Sequence, residues 1–521
     1  MTAFDTEVLV VGAGPTGLML ANQLGRRGVR VMLVDRHSGP AQQTRAMAVH
    51  ARTLEIYSKL GVAQRALELG RQGTGANMWA GGRRRARIPL GDIGRRMSPF
   101  PFVLMLGQDD NERILGELLG RWGIAVQWNT ELTSFVQAPD GVTATLRLPD
   151  GGAREVKAAY LAGCDGGRST VREHSGIGFP GAPYEHVFFV ADTEATGPMV
   201  PEELNVYLWR DGFHLFFPMR GADRWRVIGI LPGRLRGRDD LTFEQLAPAI
   251  RQEAGAALTF RQCSWFSTYR IHHRAAERFR DRRSFLLGDA GHVHSPMGGQ
   301  GMNTGLQDAY NLAWKLALVV QGRADAALLD TYEAERLPVA RRLLETTDRA
   351  FQLVVSDRWI AGLLRTQVVA RVAALAMRLE RVRRLAFLTL SQIGIRYPDS
   401  PLSRTLAGLA WGAPVAGERF PWLRLRLRPD GPVTDLFQEL DDMRFNLIVV
   451  GQPAGPLAAG GLVGVHSVPD DEHNARELAG AGIEGPAFFL LRPDGHVGLA
   501  GGRLEASAVA RYLRECWIRA A

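Results

Sequence analysis

Val8-Leu9-Val10-Val11-Gly12-Ala13-Gly14-Pro15-Thr16-Gly17 is a short aliphatic run ended by a Gly-x-Gly-x-x-Gly turn. Four consecutive branched residues suit a buried strand. Leu18 to Gly25 then reads as a helix closed by Arg26-Arg27-Gly28, and a second strand, Val29–Val34, ends in Asp35, 18 residues after Gly17. This order makes a dinucleotide-binding βαβ unit: Gly12, Gly14 and Gly17 for the turn and close approach, with Pro15 and Thr16 between them. The helix start faces a pyrophosphate, and Asp35, next to Arg36, meets ribose hydroxyls. An acid there suits an adenosine without a 2′-phosphate.

A second stretch with the same logic lies past the middle. Phe285-Leu286-Leu287 runs into Gly288-Asp289-Ala290-Gly291-His292-Val293-His294-Ser295-Pro296-Met297-Gly298-Gly299-Gln300-Gly301-Met302-Asn303-Thr304-Gly305. Leu306, Ala309, Tyr310, Leu312, Ala313, Leu316, Ala317 and Val320 follow at helical spacing. The glycines let a backbone approach a flat ligand, and a helix N-terminus favours an electron-rich edge.

With Cys164-Asp165-Gly166-Gly167-Arg168-Ser169-Thr170-Val171-Arg172 between them, these pieces resemble, in order, the FAD-binding aromatic hydroxylases, the single-component flavoprotein monooxygenases. The resemblance spans residues 5 to about 340, with Gly291 where the family usually has Ala. It implies that FAD is held by the first turn and by Gly288, Asp289, Pro296, Gly299, Gly301, Met302 and Asn303. It adds Arg45 beside the pyrophosphate, Gln108 at the flavin, Leu132 near the adenine and Asp165 at the pyrophosphate, with Arg113, Arg168 and Arg172 as weaker candidates. Pro296, Met297 and Gly298 would wall the oxygen site. NAD(P)H is expected as a transient electron donor and dioxygen as co-substrate, with hydroxylation of a small aromatic substrate, phenolic or polyketide-like, through a flavin C4a-hydroperoxide. Baeyer–Villiger insertion, epoxidation, or a flavin dehydrogenase or reductase of the same fold are the alternatives, and a non-catalytic flavin-binding scaffold is a rival of another class.

The expected fold class is α/β: a Rossmann-like FAD-binding domain (1–180 and 271–397, the latter with long helices), an inserted antiparallel-sheet substrate domain (181–270) and a thioredoxin-like C-terminal domain (398–521). Val187–Ala191, Leu204–Trp209, Phe213–Phe217 and Trp225–Ile230 alternate as strands, and Asp211-Gly212 is a hairpin signal. Tyr207, Trp209, His214, Phe216 and Tyr269 are the candidate pocket lining. Phe445–Val450, Ala487–Leu491 and Arg492-Pro493-Asp494-Gly495-His496-Val497 carry the resemblance at the C-terminus, with Leu499-Ala500 where many relatives have Trp-Arg. The absence of Cys-x-x-Cys excludes disulfide exchange there.

Composition is that of a soluble globular chain: 521 residues, 46% hydrophobic, 22% charged. The net charge of +9 is carried almost wholly by arginine, with Lys59, Lys157 and Lys315 the only lysines, and the cations are dispersed. Without a nucleic-acid-binding motif this argues against a nucleic-acid partner. Three separated cysteines lack metal-ligand spacing, and the His272-His273 pair would point to opposite faces of a strand, so no metal is expected. The acidic N-terminus suggests no signal peptide, and residues 8–24 contain the motif glycines, Pro15 and Asn22. A cytoplasmic monomer or homodimer without stable membrane insertion is expected.

Overall fold

The computed structural model of the chain describes residues 4–519 except 42–45, 210–211, 236–237, 239, 256, 296, 356–371, 373–374, 456–460 and 506. Its first sheet is centred on Thr6–Val11, flanked in parallel by Ala153–Gly163 and Val31–Val34, with Ser284–Leu286 beyond the first and Val126–Gln127 beyond the second. Val8, Leu9 and Val10 are wholly buried, as a strand covered on both faces must be. The helix Pro15–Gly25 starts with Pro at its first position, where no backbone N–H is needed. Ala153–Gly163 is one strand, antiparallel to Val142–Arg147 at one end and parallel to Thr6–Val11 at the other.

The second sheet has eight strands and is wider than the span 181–270 expected for it. Gly181–Thr196, Leu204–Trp209, Gly212–Pro218, Arg224–Ile230 and Thr259–Ala275 are joined at one edge by Gly75–Ala80 and Arg83–Pro89, and at the other by His292–Val293. Leu204–Trp209 pairs in parallel with Gly75–Ala80, so chain from the first part of the flavin domain completes this sheet. The helix Phe243–Ala254, opened by a Thr242–Gln245 capping box, covers one face.

A third, five-stranded sheet lies at the C-terminus in the order Arg404–Thr405, Val497–Gly501, Ala487–Leu491, Phe445–Val450, Val463–Val468. The last two pair in parallel, and Ala487–Leu491 is antiparallel to both its neighbours.

One helix, Gly301–Val320, runs through the middle of the molecule and is buried continuously from Asn303 to Leu318. Leu306, Ala309, Leu312 and Leu316 pack into the core of the first sheet, while Trp314 and Leu318 pack into the core of the third. A helix buried all round is normally apolar, yet this one buries Asn303, Gln307, Asp308, Asn311 and Lys315. Each must find a partner inside, and those partners define the rest of the architecture. Among the described residues, no helix is long and apolar enough to cross a membrane.

Candidate functional site

The glycine turn after the first strand is open on one side only. Gly12 has φ +103°, and a Cβ there would lie 2.3 Å from the Cys164 carbonyl oxygen, so neither conformation nor space admits a side chain. A Cβ on Gly14 meets nothing within 4 Å, which leaves room for a ligand at the helix start. Asp35 reaches across from the end of the second strand: one carboxylate oxygen accepts the Ala13 N–H at 2.7 Å and the other the His37 N–H at 2.8 Å. The second oxygen also faces His37 Nδ1 at 2.7 Å, so the first keeps a lone pair for a further donor. Thr16 turns inward instead. A Cβ on Gly305 would lie 2.4 Å from its hydroxyl oxygen, so the two helices meet at Thr16 with no space between them. Arg36 is exposed, and Leu132 is buried in the core at 1% exposure.

At the other end, Met297–Gly299 is a single 3-10 turn with Gly298 at φ +77°, leading into the long helix. Thr304 makes the first intrahelical bond, to the Gln300 carbonyl at 2.9 Å. The N–H groups of Gly301, Met302 and Asn303 precede it and form the helix's donor end. The Asn303 side chain is used elsewhere: its oxygen accepts the His50 N–H and the Thr53 hydroxyl at 2.9 and 2.7 Å, and its nitrogen donates to the Ala48 and Gly299 carbonyls at 2.8 and 2.9 Å. His50 supports the same turn, with Nε2 2.9 Å from the Gly298 carbonyl. Because a carbonyl only accepts, Nε2 carries the proton, and burial pushes the imidazole down to about 4 against the pull of that carbonyl. Nearby His294 is also lowered to about 4 by burial and by His292. Pro296 and Arg45 lie outside the described residues.

Between the two ends, Asp289 is exposed and Gly288 is buried in a 3-10 turn, Gly288–Ala290. That turn is anchored from below by Asp308, which accepts the Gly288 N–H at 3.0 Å, His292 Nε2 at 2.7 Å and the Arg336 guanidinium at 2.7 Å. Burial would raise this carboxyl, but Arg336 and His292 outweigh it and hold it below the usual range. Arg336 also donates to the Tyr397 hydroxyl at 3.0 Å and the Thr304 carbonyl at 3.2 Å. The Asp165 carboxylate folds back to accept the Ser169 hydroxyl at 2.6 Å and the Val171 N–H at 3.2 Å, so it shapes its own loop. Arg172 ties that loop to the Gly288 turn through the Gly167 and Ala290 carbonyls at 2.9 and 3.0 Å. Gln108 binds Glu112 at 2.8 Å, Arg113 pairs with Asp110, and Arg168 is exposed.

His50, Asp308 and Arg336 were not among the expected residues. The signal for Asp308 was present, since a carboxylate in an otherwise apolar helix must be paired. The signal for His50 was not, because only the three-dimensional turn brings it beneath Gly298.

The expected aromatic lining divides between the two faces of the second sheet. Tyr207 and Phe216 are wholly buried against the helix Phe243–Ala254, with Tyr207 stacked on Trp79 at 5.4 Å, and His214 Nε2 lies 2.9 Å from Glu253 of that helix. Tyr269 lies on the opposite face, among Phe188, Leu208, Phe213, Ile230, Val206 and Leu215, and partly buried Trp209 also packs against this group. Successive side chains on a strand alternate, so the residues beside those chosen, Leu208, Phe213 and Leu215, form the second layer.

FAD is a fitting ligand for this site on three observations: the space beside Gly14, the spare acceptor capacity of Asp35 and the donor end at Gly301–Asn303. The comparisons agree. The family described as "FAD binding domain" matches residues 5–347. A 6-methylpretetramide 4-monooxygenase of Streptomyces rimosus is 34% identical over 98% of this chain and 93% of its own length. A rifampicin monooxygenase of Streptomyces venezuelae is 33% identical over 95% of each. The solved ternary complex of aklavinone-11 hydroxylase with FAD and aklavinone superposes with a TM-score of 0.80 at 27% identity, covering 99% of this chain and 100% of that one. Through the FAD binding domain over residues 5–347, the chain belongs to the FAD-dependent aromatic hydroxylase family.

Proposed function

We propose that the chain is an NAD(P)H-consuming monooxygenase that adds one oxygen atom of dioxygen to a phenolic, fused-ring aromatic substrate of the polyketide type. The observation that carries the substrate class is the apolar layer of Phe188, Leu208, Phe213, Ile230 and Tyr269 on the face of the second sheet away from its helix. Phe188 and Ile230 are wholly buried in it and the Arg226–Asp192 pair lies on the same face, and an apolar layer with such a polar edge suits flat rings bearing a few polar groups. The relatives named for 6-methylpretetramide and aklavinone support the same class.

Bound FAD supplies the redox chemistry, accepting electrons from the nicotinamide and activating dioxygen. The chain's own residues do the holding. Gly12, Gly14, Pro15 and Gly17 cradle the pyrophosphate, with Asp289 nearby. Asp35 takes the ribose hydroxyls. The N–H groups of Gly301, Met302 and Asn303 would favour negative charge on the bound flavin. Pro296, Met297, Gly298 and Gly299 exclude water from the oxygen side. Gln108 lies within the same frame, whereas Thr16, Leu132 and Asp165 act through packing and loop shape, and we assign Arg36 no contact.

The residue boundaries 1–180 and 271–397, 181–270, and 398–521 divide the chain into flavin, substrate and C-terminal parts, with strands 75–89 lent to the substrate sheet. The order and directions of the C-terminal strands support a thioredoxin-like unit. A cytoplasmic monomer or homodimer completes the proposal. Purification with bound FAD, followed by substrate-dependent NAD(P)H oxidation with a panel of polycyclic phenols, tests it; a protein that takes up no FAD would overturn it.

A further inference from the structure

Turns between strands usually lie in solvent. The turn Arg492–His496, between Ala487–Leu491 and Val497–Gly501 of the C-terminal sheet, does not: Arg492, Asp494 and His496 are 1%, 2% and 4% exposed. It is driven into the flavin part of the molecule and bonded on all sides. The Tyr310 hydroxyl shares its proton between the Pro493 carbonyl at 3.2 Å and the Asp442 carboxylate at 3.0 Å, and the Asp494 carboxylate accepts from Asn311 and Trp314, both at 3.3 Å. The Asp494 backbone carbonyl accepts the Arg52 guanidinium. Arg492 forks onto Glu335 at 2.5 and 2.9 Å, and Glu335 also takes Lys315 at 2.7 Å and Ser400 at 2.6 Å.

Two of the elements held in this way frame the candidate flavin site. Arg52 lies in the helix Ala51–Leu60, whose N-cap His50 supports Gly298 and whose Thr53 bonds Asn303. Tyr310, Asn311 and Trp314 lie in the helix Gly301–Val320, whose first N–H groups form the donor end. Buried ionic clusters add little net stability over an apolar core, but they impose one arrangement, because any other leaves a charge unpaired. We propose that the Arg492–His496 turn is a positioning device. It fixes helix 51–60 against helix 301–320, and thereby sets flavin affinity and the polarity felt by the ring, without touching the cofactor. The proposal rests on the flavin site described above.

The test uses the full chain with Arg52→Met, Arg52→Lys, Tyr310→Phe and, as a control on the site itself, Gly14→Val. Removing Arg52 leaves the buried Glu55 carboxylate paired with Arg419 at 2.5 Å and with the Ser98 hydroxyl at 2.7 Å, so no charge is stranded. FAD affinity is read by flavin fluorescence, the ring environment by the visible absorption and circular dichroism of bound flavin, and apoprotein stability by thermal melting. Arg52→Met is expected to weaken FAD about tenfold and to shift the visible bands, with partial rescue in Arg52→Lys, a size usual for coupling between sites. Tyr310→Phe, which loses one hydroxyl and no volume, should shift the bands in the same direction and carries the test should Arg52→Met fail to fold. Parent-like affinity and spectra in Arg52→Met and Tyr310→Phe would overturn the proposal. So would weaker binding that follows apoprotein melting alone while the bound-flavin spectrum stays unchanged. If Gly14→Val binds FAD as the parent does, the site itself is wrong and the proposal falls with it.

Discussion

The side-chain oxygen of Asn303 accepts the backbone N–H of His50 at 2.9 Å, so the residue at the start of the central helix is joined to the residue that starts another helix. Asn303 is wholly buried and makes four side-chain bonds. Its side chain is therefore spent inside the protein, and only its backbone N–H is left to face a ligand. Asn303→Ala strands two carbonyls, one N–H and one hydroxyl, and should cost roughly 2–4 kcal/mol. Denaturant unfolding of the apoprotein measures this without the cofactor. A loss below about 0.5 kcal/mol would show that water or neighbouring groups replace the bonds, within the range of an ordinary surface substitution.

His50 gives a pH dependence with a definite sign. Its imidazole is lowered from 6.5 to about 4 by burial, so between these values the unfolded chain takes up a proton that the folded chain refuses. Stability contributed by the neutral ring is present above about 6.5 and is lost as pH falls towards 4. In His50→Gln, which keeps a donor for the Gly298 carbonyl, that loss disappears. The difference in unfolding free energy between parent and variant should narrow by about 1 kcal/mol for each pH unit across this window. Parallel pH profiles for the two proteins would contradict the assignment of a buried neutral imidazole.

The two faces of the second sheet predict different consequences for neighbouring residues. Leu215 is partly exposed on the apolar face, whereas Tyr207 is buried on the helix side with its hydroxyl unpartnered among the described residues. Leu215→Trp should raise KM for the aromatic substrate severalfold with little change in melting temperature. Tyr207→Phe should leave KM and kcat unchanged. Steady-state kinetics with both variants decides which face meets substrate, and the reverse pattern would put the pocket on the helix side.

Gly298 tests the water-excluding wall. An added Cβ there is only in ordinary contact with Gln300 and Leu390, at 3.5 and 3.6 Å, but φ of +77° strains any L residue. Gly298→Ala should therefore displace the turn and release more hydrogen peroxide per NAD(P)H consumed; a change of ~1.4 kcal/mol in the partition alters the ratio tenfold. Peroxide is titrated against product at fixed NAD(P)H. Unchanged coupling would remove this turn from the oxygen site.

The legible parts of the fold were those in which one segment carries its own signal. Leu204–Trp209, Phe445–Val450 and Ala487–Leu491 are strands at the expected residues, because alternation or an unbroken apolar run declares them locally. Arg83–Pro89 was not legible: an edge strand needs no apolar face, and Arg83-Arg84-Arg85 reads as a basic triplet. Ala48–Val49 is a short strand ahead of the helix Ala51–Leu60, although the local pattern over 47–60 suits one helix. Asn303 holds both pieces, a contact 250 residues away that no local window contains. Alternation puts His214 and Phe216 on one side of their strand, and only the docked helix Phe243–Ala254 shows that this side is covered. For the same reason Asp165 and Thr16 could be placed near the ligand by motif, while the direction of their side chains depended on Ser169 and Gly305.

Oxygen insertion by a flavin enzyme is read in the mass of products formed under labelled dioxygen. Purified protein with FAD, NAD(P)H and a panel of polycyclic phenols would be incubated under 18O2 and, in parallel, in labelled water. One 18O atom per product is expected from the gas and none from water, with product formation that depends on FAD. A reduced or dehydrogenated product without label, or label drawn only from water, would contradict oxygen insertion.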